Sequence, residues 1–430
     1  MKSNKFILKN YHAIHDAELL LNGLTILSGE NGSGKSTISR WIYYLVELSA
    51  HFEAYLFADY ISNLKRLLRD YSSRMIKYSY VYQIDEHLDK LDPYNPISLD
   101  TAYNFCVEGL KSHYSDVSKY IETVSGDPLR RRIIQSISHN EEVDKFDVPR
   151  LLNDFSEQVD NLRTNYNREA EKRRKYSAKD FCAKYFYEHD SFPRSIQFEE
   201  DGHKIVGRDN IEMLLNFHRV IYIDTPMALA CESSSNYFWS TLKERLLRKA
   251  QYDFSSPKKR EIEKYIQKII GGNVGVQKGR FNDDELHYIR EEDGLNVEIK
   301  DTATGLKSFA YIISLLNNGY LDDRTLLIID EPEAHLHPQW VVEFARVLVR
   351  LHSMLGVKIL INSHNPDMVA AIQSIASKEK VLENTVFYLA EKHKDTIQYD
   401  FRNLGHEIDE IFISFNIAIS RIQEYGADVD

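Results

Sequence analysis

The stretch Leu24–Leu48 reads LTILSGENGSGKSTISRWIYYLVEL. An apolar run, Leu24–Leu27, meets a glycine-rich loop, and a helical pattern follows. The loop fits G-x-x-x-x-G-K-S/T with Gly29, Gly34, Lys35 and Ser36, in the strand–loop–helix setting that the motif requires. Glycines belong there because backbone N–H groups must wrap a phosphate closely, at dihedrals a side chain forbids. Lys35 is placed to reach β- and γ-phosphates, and Ser36 to bind Mg²⁺ through its hydroxyl. The helix N-terminus adds its own positive end. Gly29, Asn31, Gly32, Ser33, Gly34, Lys35, Ser36 and Thr37 are therefore the candidate phosphate-binding residues. A glycine turn with a chance lysine is the competing reading, and the flanking strand and helix argue against it.

The 430-residue chain is 43% hydrophobic, enough for a large core and two or three domains of ordinary size. A net charge of -11 argues against a surface that coats nucleic acid, leaving a local basic patch as the only such route. Three widely separated cysteines, Cys106, Cys182 and Cys231, suit a reducing cytosol and offer no zinc spacing. No apolar run approaches the ~20 residues of a membrane span, and the first residues show no signal-peptide pattern. A cytoplasmic protein with no membrane contact is expected.

Residues 6–28 read as two strands and a third ending at the glycine loop. From about Trp41 to His218 strand signals nearly vanish and helical periodicity rich in Tyr, Lys and Arg takes over. Leu152, Phe155, Val159, Leu162 and Tyr166 recur at 3,4,3,4 spacing, a seam too short for a coiled coil, so a compact helical arm is expected. Two hairpins are signalled, SIQFEEDGHKIVG turning at Asp201-Gly202 and ELHYIREEDGLNVEI turning at Asp293-Gly294. Three apolar runs without alternation, RVIYID (219–224), TLLIID (325–330) and KILINSH (358–364), suit strands buried on both faces of a mostly parallel sheet, with TVFYLA (385–390) as a fourth.

The run Ile328–Pro338, IIDEPEAHLHP, packs three acids and two histidines behind a strand. Asp330 falls at the strand's C-terminal end, where ligands bind in open α/β sheets. An acid there can hold the Mg²⁺ that bridges phosphates. Glu331, one residue on, is placed to orient or deprotonate an attacking water. A zinc site is the alternative, but His335 and His337 are two apart, without the i, i+4 spacing of a helical site and without a nearby cysteine. Glu333 reads first as a solvated loop acid. Upstream, DTATGLKSFAYIISLL sets Thr304 and Gly305 at the start of an apolar helix, a second anion-binding helix start unless it is an ordinary capped core helix. Two such starts meet one phosphate only if the second comes from another copy. Downstream, KILINSHNPDMV ends a strand in Ser363-His364, where a histidine can hydrogen-bond a γ-phosphate, although a lone histidine is usually structural.

The order phosphate loop, long insertion, Thr-Gly-x-Lys, Asp-Glu, Ser-His resembles the ABC-type ATPase heads of the RecF, Rad50 and SMC group. The DEPEAHLHP form looks most like the OLD-type branch and its relatives in bacterial defence. Lys35 and Ser36 match the Walker A pair, and Asp330 and Glu331 the Walker B acid and catalytic glutamate. Thr304, Gly305 and Lys307 match the signature S-G-x-Q/K with threonine for serine, Ala334–His337 fall on the D-loop with His337 in place of its aspartate, and His364 matches the switch histidine. No Q-loop glutamine is identifiable; Asp224 or Thr225 falls where that loop would start.

The resemblance implies an α/β P-loop NTPase of ABC-type head fold, with a mostly parallel sheet, an antiparallel β lobe and a large helical insertion. It places the head at residues 1–48 and 190–430 and the arm at 49–189. It implies ATP and Mg²⁺ as ligands, with Glu331, His364 and Lys35 catalytic. ATP would be sandwiched between the Walker motifs of one protomer and Thr304-Gly305 of another, in a homodimer or a higher even-numbered oligomer. Only 66 residues follow His364, too few for the nuclease domain of OLD-type proteins. The expectation is therefore a sensor or regulator ATPase of an antiphage system, analogous to Septu, PARIS or retron-associated ATPases, holding or releasing a separate nuclease or toxin. A DNA-repair or DNA-clamping ATPase is the alternative. Its candidate contacts are Arg130, Arg131, Arg132, Arg163, Arg168, Lys172, Arg173, Arg174 and Lys175, a set that also reads as solvated helix faces because Glu169 and Glu171 interleave it. A transporter motor is disfavoured by so large and polar an insertion.

Overall fold

The computed structural model describes residues 3–72, 88–91, 97–108, 111, 128, 148–186, 191–230, 237–250, 256–279, 282–394 and 396–413. The chain divides into two compact units, Met1–Ala50 with Ser177–Asp430, and His51–Tyr176. Arg130–Arg132 lie outside the described residues.

The first unit is built on one sheet of eleven strands in the order β6-β5-β4-β1-β2-β14-β13-β3-β12-β11-β7. These are β1 (Asn4–Tyr11), β2 (Ile14–Leu20), β3 (Leu24–Ser28), β4 (Ser195–Glu200), β5 (His203–Gly207), β6 (Asn210–Ile211), β7 (Arg219–Ile223), β11 (Thr325–Asp330), β12 (Lys358–Ser363), β13 (Thr385–Lys392) and β14 (Tyr399–Gly405). From β13 to β7 every pairing is parallel, and from β6 to β2 every pairing is antiparallel. Parallel strands covered on both faces must be apolar throughout, and β3 and β11 are buried along their whole length. The expected antiparallel lobe is thus continuous with the parallel part, joined where β14 runs parallel to β2 and antiparallel to β13. Strand β14 gave no sequence signal because only Tyr399 and Phe401 turn inward from an otherwise polar segment.

A separate three-stranded sheet, β10-β9-β8, holds β8 (Asn273–Lys278), β9 (Asp284–Arg290) and β10 (Leu295–Glu298). Its β9–β10 hairpin turns at Asp293-Gly294, and the β4–β5 hairpin turns at Asp201-Gly202. Helices whose bounds are described include α1 (Lys35–Ser72), α2 (Val148–Glu171), α3 (Ala178–Tyr185), α4 (Tyr237–Leu247), α5 (Pro257–Ile270), α6 (Thr304–Asn317), α7 (Pro338–Leu355) and α8 (Pro366–Lys378). Helix α6 is buried from Lys307 to Leu316 on nearly all sides, which its apolar sequence requires. Phe309 meets Trp340 and Phe344 of α7 edge to face, with centroids 5.4 and 5.0 Å apart. Helix α1 loses helical geometry at His51 (φ -120°, ψ 17°), the residue at which the units divide.

In the second unit Phe57, Tyr60, Ile61, Leu64 and Leu68 form a core with Phe155 and Val159 of α2, and Leu162 and Tyr166 pack partly against it. The short seam therefore closes a local cluster; the side chain of Leu152 is outside the described residues. The arm's basic residues are largely engaged locally: Arg163 with Asp100, Lys172 with Glu169 at 3.2 Å, and Arg173 with Glu53 at 3.5 Å. Among the described residues no helix is long and apolar enough to cross a membrane.

Candidate functional site

Four parallel strands, β3, β12, β11 and β7, end side by side, so residues from distant parts of the chain converge at their carboxyl ends. The glycine loop leaves β3 there. Gly29 (φ 152°) and Gly34 (φ 98°) have backbone conformations that side chains rarely adopt. A Cβ on Gly29 would come within 2.7 Å of Ala390 Cβ, and one on Gly34 within 2.7 Å of Ile14 Cγ1. Gly32 is also at positive φ but faces open space, and Asn31 beside it is exposed. Ser33 is buried, while Ser36 is exposed and Thr37 half-buried in the first turn of α1.

Lys35 Nζ donates to the carbonyls of Gly29 and Glu30, both at 2.9 Å, and lies 3.4 Å from Ser33 Oγ. The lysine thus closes the loop on itself. Burial pushes its pKa down, opposed by Glu331, Asp330, Glu333 and Glu30.

Asp330, at the end of β11, is held from both neighbouring strands. Tyr222 of β7 donates its hydroxyl to Oδ2 at 2.7 Å. Asn362 of β12, its register partner, donates to Oδ1 at 2.5 Å and also to Ser39 Oγ of α1 at 2.8 Å. Burial raises the Asp330 pKa; hydrogen bonds from Tyr222, Ser36, Asn362 and Ser39 oppose it. Ser36 and Asp330 therefore stand together, one from the loop helix and one from the strand end.

Glu331 follows in the left-handed region (φ 47°), its N–H bonded to the Asn362 carbonyl at 2.9 Å. That conformation costs of order 1–3 kcal/mol in a non-glycine residue and re-aims the side chain away from the strand direction. The Glu331 side chain is 47% exposed, and His364 Nδ1 lies 3.5 Å from its Oε1.

Glu333 corrects its sequence reading. It is 6% exposed and not a solvated loop acid. Its Oε1 accepts from Ser363 Oγ at 2.8 Å and from the His364 N–H at 3.1 Å, while Oε2 is buried without a donor among the described residues. The turn after β11 folds back beneath the turn after β12, which the local sequence does not reveal. Burial raises its pKa, against hydrogen bonds from its own backbone, Ser363 and His364.

Thr304 and Gly305 open α6 after Ala303, whose side chain makes no cap. A Cβ on Gly305 would lie 3.0 Å from Leu336 and 3.4 Å from Trp340, so this helix start backs onto the segment after Glu331. Lys307 is 4% exposed and points its Nζ to Met227 Sδ at 3.9 Å. Among the described residues no hydrogen bond joins Thr304, Gly305 or Lys307 to the phosphate loop. Asp224 accepts from Trp239 Nε1 at 2.7 Å, and its pKa is raised by burial first and Asp330 in part. His337 caps α7 through Nδ1, and neither it nor His335 belongs to a metal-ligating cluster among the described residues.

Sequence reasoning missed Tyr222, Ser39, Asn362 and the burial of Glu333. Asn362 alone left a signal, as a polar residue inside an apolar strand; Tyr222 looks like any aromatic in a buried run.

A strand–glycine loop–helix beside a strand-end acid on a parallel sheet defines a P-loop ATPase fold. Residues 1–369 match the model of the family described as AAA ATPase domain, and the chain belongs to that family. Similar solved structures include the Smc head domain with an extended coiled coil bound to the C-terminal domain of ScpA from Pyrococcus furiosus, 10% identical with a TM-score of 0.38, covering 99% of this chain and 100% of that one. The SMC head domain from Thermotoga maritima is 8% identical with a TM-score of 0.35, covering 94% and 99%. The ADP conformation of an ATP-binding cassette of an ABC transporter is 10% identical with a TM-score of 0.34, covering 96% and 99%. Family membership rests on the matched residues and not on these scores. No curated protein matches the chain.

Proposed function

We propose that this chain is a Mg²⁺-dependent ATPase whose site is completed by a second copy, and that it acts as the regulator of a separate effector in an antiphage system. The observation that carries the paired site is how the two halves stand in one chain. Lys35, Ser36, Asp330 and Glu331 gather at the carboxyl ends of the parallel strands, while among the described residues no hydrogen bond joins Thr304 or Gly305 to the loop of their own chain.

The residues present fit the ligands. Gly32, at positive φ in the middle of the loop, faces open space, and among the described residues Asn362 Oδ1 and Glu333 Oε2 are buried acceptors without donors. Ser36 and Asp330 would hold Mg²⁺, which when bound neutralises charge on the β- and γ-phosphate oxygens. Lys35 exchanges its two loop carbonyls for phosphate oxygens. Glu331 orients the water and takes its proton as the water oxygen bonds to the γ-phosphorus and the bond to the bridging oxygen breaks. His364 steadies the γ-phosphate, and Thr304-Gly305 of the other copy closes the site. Only a nucleotide with different affinity for paired and separate copies drives such movement. The regulatory role is supported by the DEPEAHLHP resemblance.

The test is Glu331→Gln with ATP. It should bind nucleotide, fail to turn it over and accumulate as a pair in light scattering. Wild-type turnover by this variant sinks the role given to Glu331, and full turnover by a strictly monomeric protein sinks the paired site. For the regulatory role, the tagged chain purified from its host should carry a nuclease or toxin. DNA capture that weakens strongly between 50 and 200 mM salt, with no such partner, would favour the DNA-clamping alternative, for which Arg168, Lys172 and Lys175 are exposed among the described residues.

A further inference from the structure

Away from the phosphate loop, three side chains able to ligate a metal meet, two on paired strands and one in the turn after a third. His15 is the second residue of β2, Asp400 the second of β14, and His393 follows β13. His15 Nδ1 lies 2.6 Å from Asp400 Oδ1, and His393 Nδ1 lies 2.6 Å from Oδ2. The two imidazoles stack at 3.6 Å between centroids and 20° between planes. One ligand atom from each residue can be chosen so that all lie within 4.8 Å of one another.

The backbone builds this meeting. The β14–β2 register slips between Tyr399 and Asp400, and a slip of this kind re-aims a side chain. On the other side the turn after β13 is closed by His393 N–H to the Gln398 carbonyl at 2.8 Å, and Gln398 Nε2 donates to the His12 carbonyl at 3.0 Å. The ligands thus stand on paired strands and a pinned turn.

We propose that His15, His393 and Asp400 form a binding site for one divalent transition-metal ion, separate from the nucleotide's Mg²⁺. Two imidazole donors and one carboxylate favour Zn²⁺, Co²⁺ or Ni²⁺ over Mg²⁺ or Ca²⁺, which prefer oxygen ligands. Three protein ligands leave a position for water or a fourth donor. Both histidines bind neutral through Nδ1, their protons moving to Nε2, so the site asks for no net proton release from a neutral pair. The metal-bound state replaces the proton-mediated bonds with bonds to one ion, and it requires the stacked rings to turn out of parallel so that each presents Nδ1 to the ion in its own plane.

Cobalt titrated into the nucleotide-free full chain, without Mg²⁺, tests this. The wild type should bind one equivalent with a visible ligand-field spectrum and a raised melting temperature. Asp400→Asn and His393→Ala should each weaken binding by at least about 10-fold, since even second-shell losses cost that much. Asp400→Asn keeps the shape of the side chain, and its melting temperature without metal reports whether it folds; His393→Gln replaces it if it does not. Absence of a saturable cobalt spectrum in the wild type, or variants with unchanged affinity and spectrum, overturns the proposal.

Discussion

Glu333 Oε1 accepts the backbone N–H of His364 at 3.1 Å, so a buried acid on one turn sets the position of a histidine on another. The same oxygen accepts Ser363 Oγ at 2.8 Å. If His364 serves the γ-phosphate, Glu333 is a positioning residue. Glu333→Ala should lower turnover by up to about 100-fold, the cost of a misplacement of roughly 1 Å. It should also destabilise the head by about 1–3 kcal/mol through unpaired donors. Glu333→Gln keeps the accepting oxygen and should restore most of the turnover. Steady-state kinetics with parallel melting curves check this; equal loss in both variants would remove the positioning role.

The loop glycine Gly34 should tolerate no side chain. At φ 98°, with Ile14 Cγ1 at 2.7 Å from a built Cβ, Gly34→Ala meets both backbone strain and a clash. A cost of about 1–3 kcal/mol is expected from the backbone alone. Shortening the neighbour, Ile14→Ala, should relieve the clash but not the dihedral. A double-mutant cycle in melting temperature should therefore show partial rescue; complete rescue would mean that the dihedral costs nothing.

Burial raises the pKa of Asp330 and of Glu333 above their ordinary values of 3.8 and 4.5. The protonated acids suit the folded head better than the charged ones. Their stabilising contribution is therefore full below the ordinary pKa and is lost as pH rises through the raised value. Melting temperature of the nucleotide-free protein should fall on this account as pH rises above about 4. Glu333→Gln should flatten the curve, most visibly at neutral pH. Mg²⁺-nucleotide affinity should run the other way, because Asp330 must be ionised to hold the metal; affinity that rises on acidification would contradict the role given to Asp330.

Thr304 is half-buried at the first position of α6, so Thr304→Arg should fold. It should bind ATP and fail to hydrolyse it. Lys35→Ala should not bind ATP at all. Mixed, the two variants should recover part of the wild-type turnover, since one of the two shared sites would carry both an intact loop and an intact Thr304-Gly305. A mixture as inactive as its components, though the copies pair, would contradict a shared site.

Much of the head was legible without coordinates. Gly29–Thr37 is a contiguous stretch whose spacing dictates a backbone shape, and runs such as Thr325–Asp330 are apolar throughout because both faces are covered. Such features are local, and local sequence holds them. Strand β14 escaped because a half-exposed strand between polar residues has no periodicity to read.

What the tertiary structure alone decided is which side chains surround each reactive one. Tyr222, Asn362 and Ser39 reach Asp330 or its partner from three elements, and two of these contacts join residues 108 and 323 positions apart. Whether Glu333 is solvated or buried depends on how two turns stack, and whether His15 meets His393 and Asp400 depends on one slipped register between strands 385 residues apart. Sequence by itself determined the phosphate loop, where the buried strands lie along the chain and the acid that closes the run Thr325–Asp330. Neighbours across a sheet are set by strand order and register, which no short stretch of chain encodes, because each pairing is chosen by how all the apolar faces are buried at once.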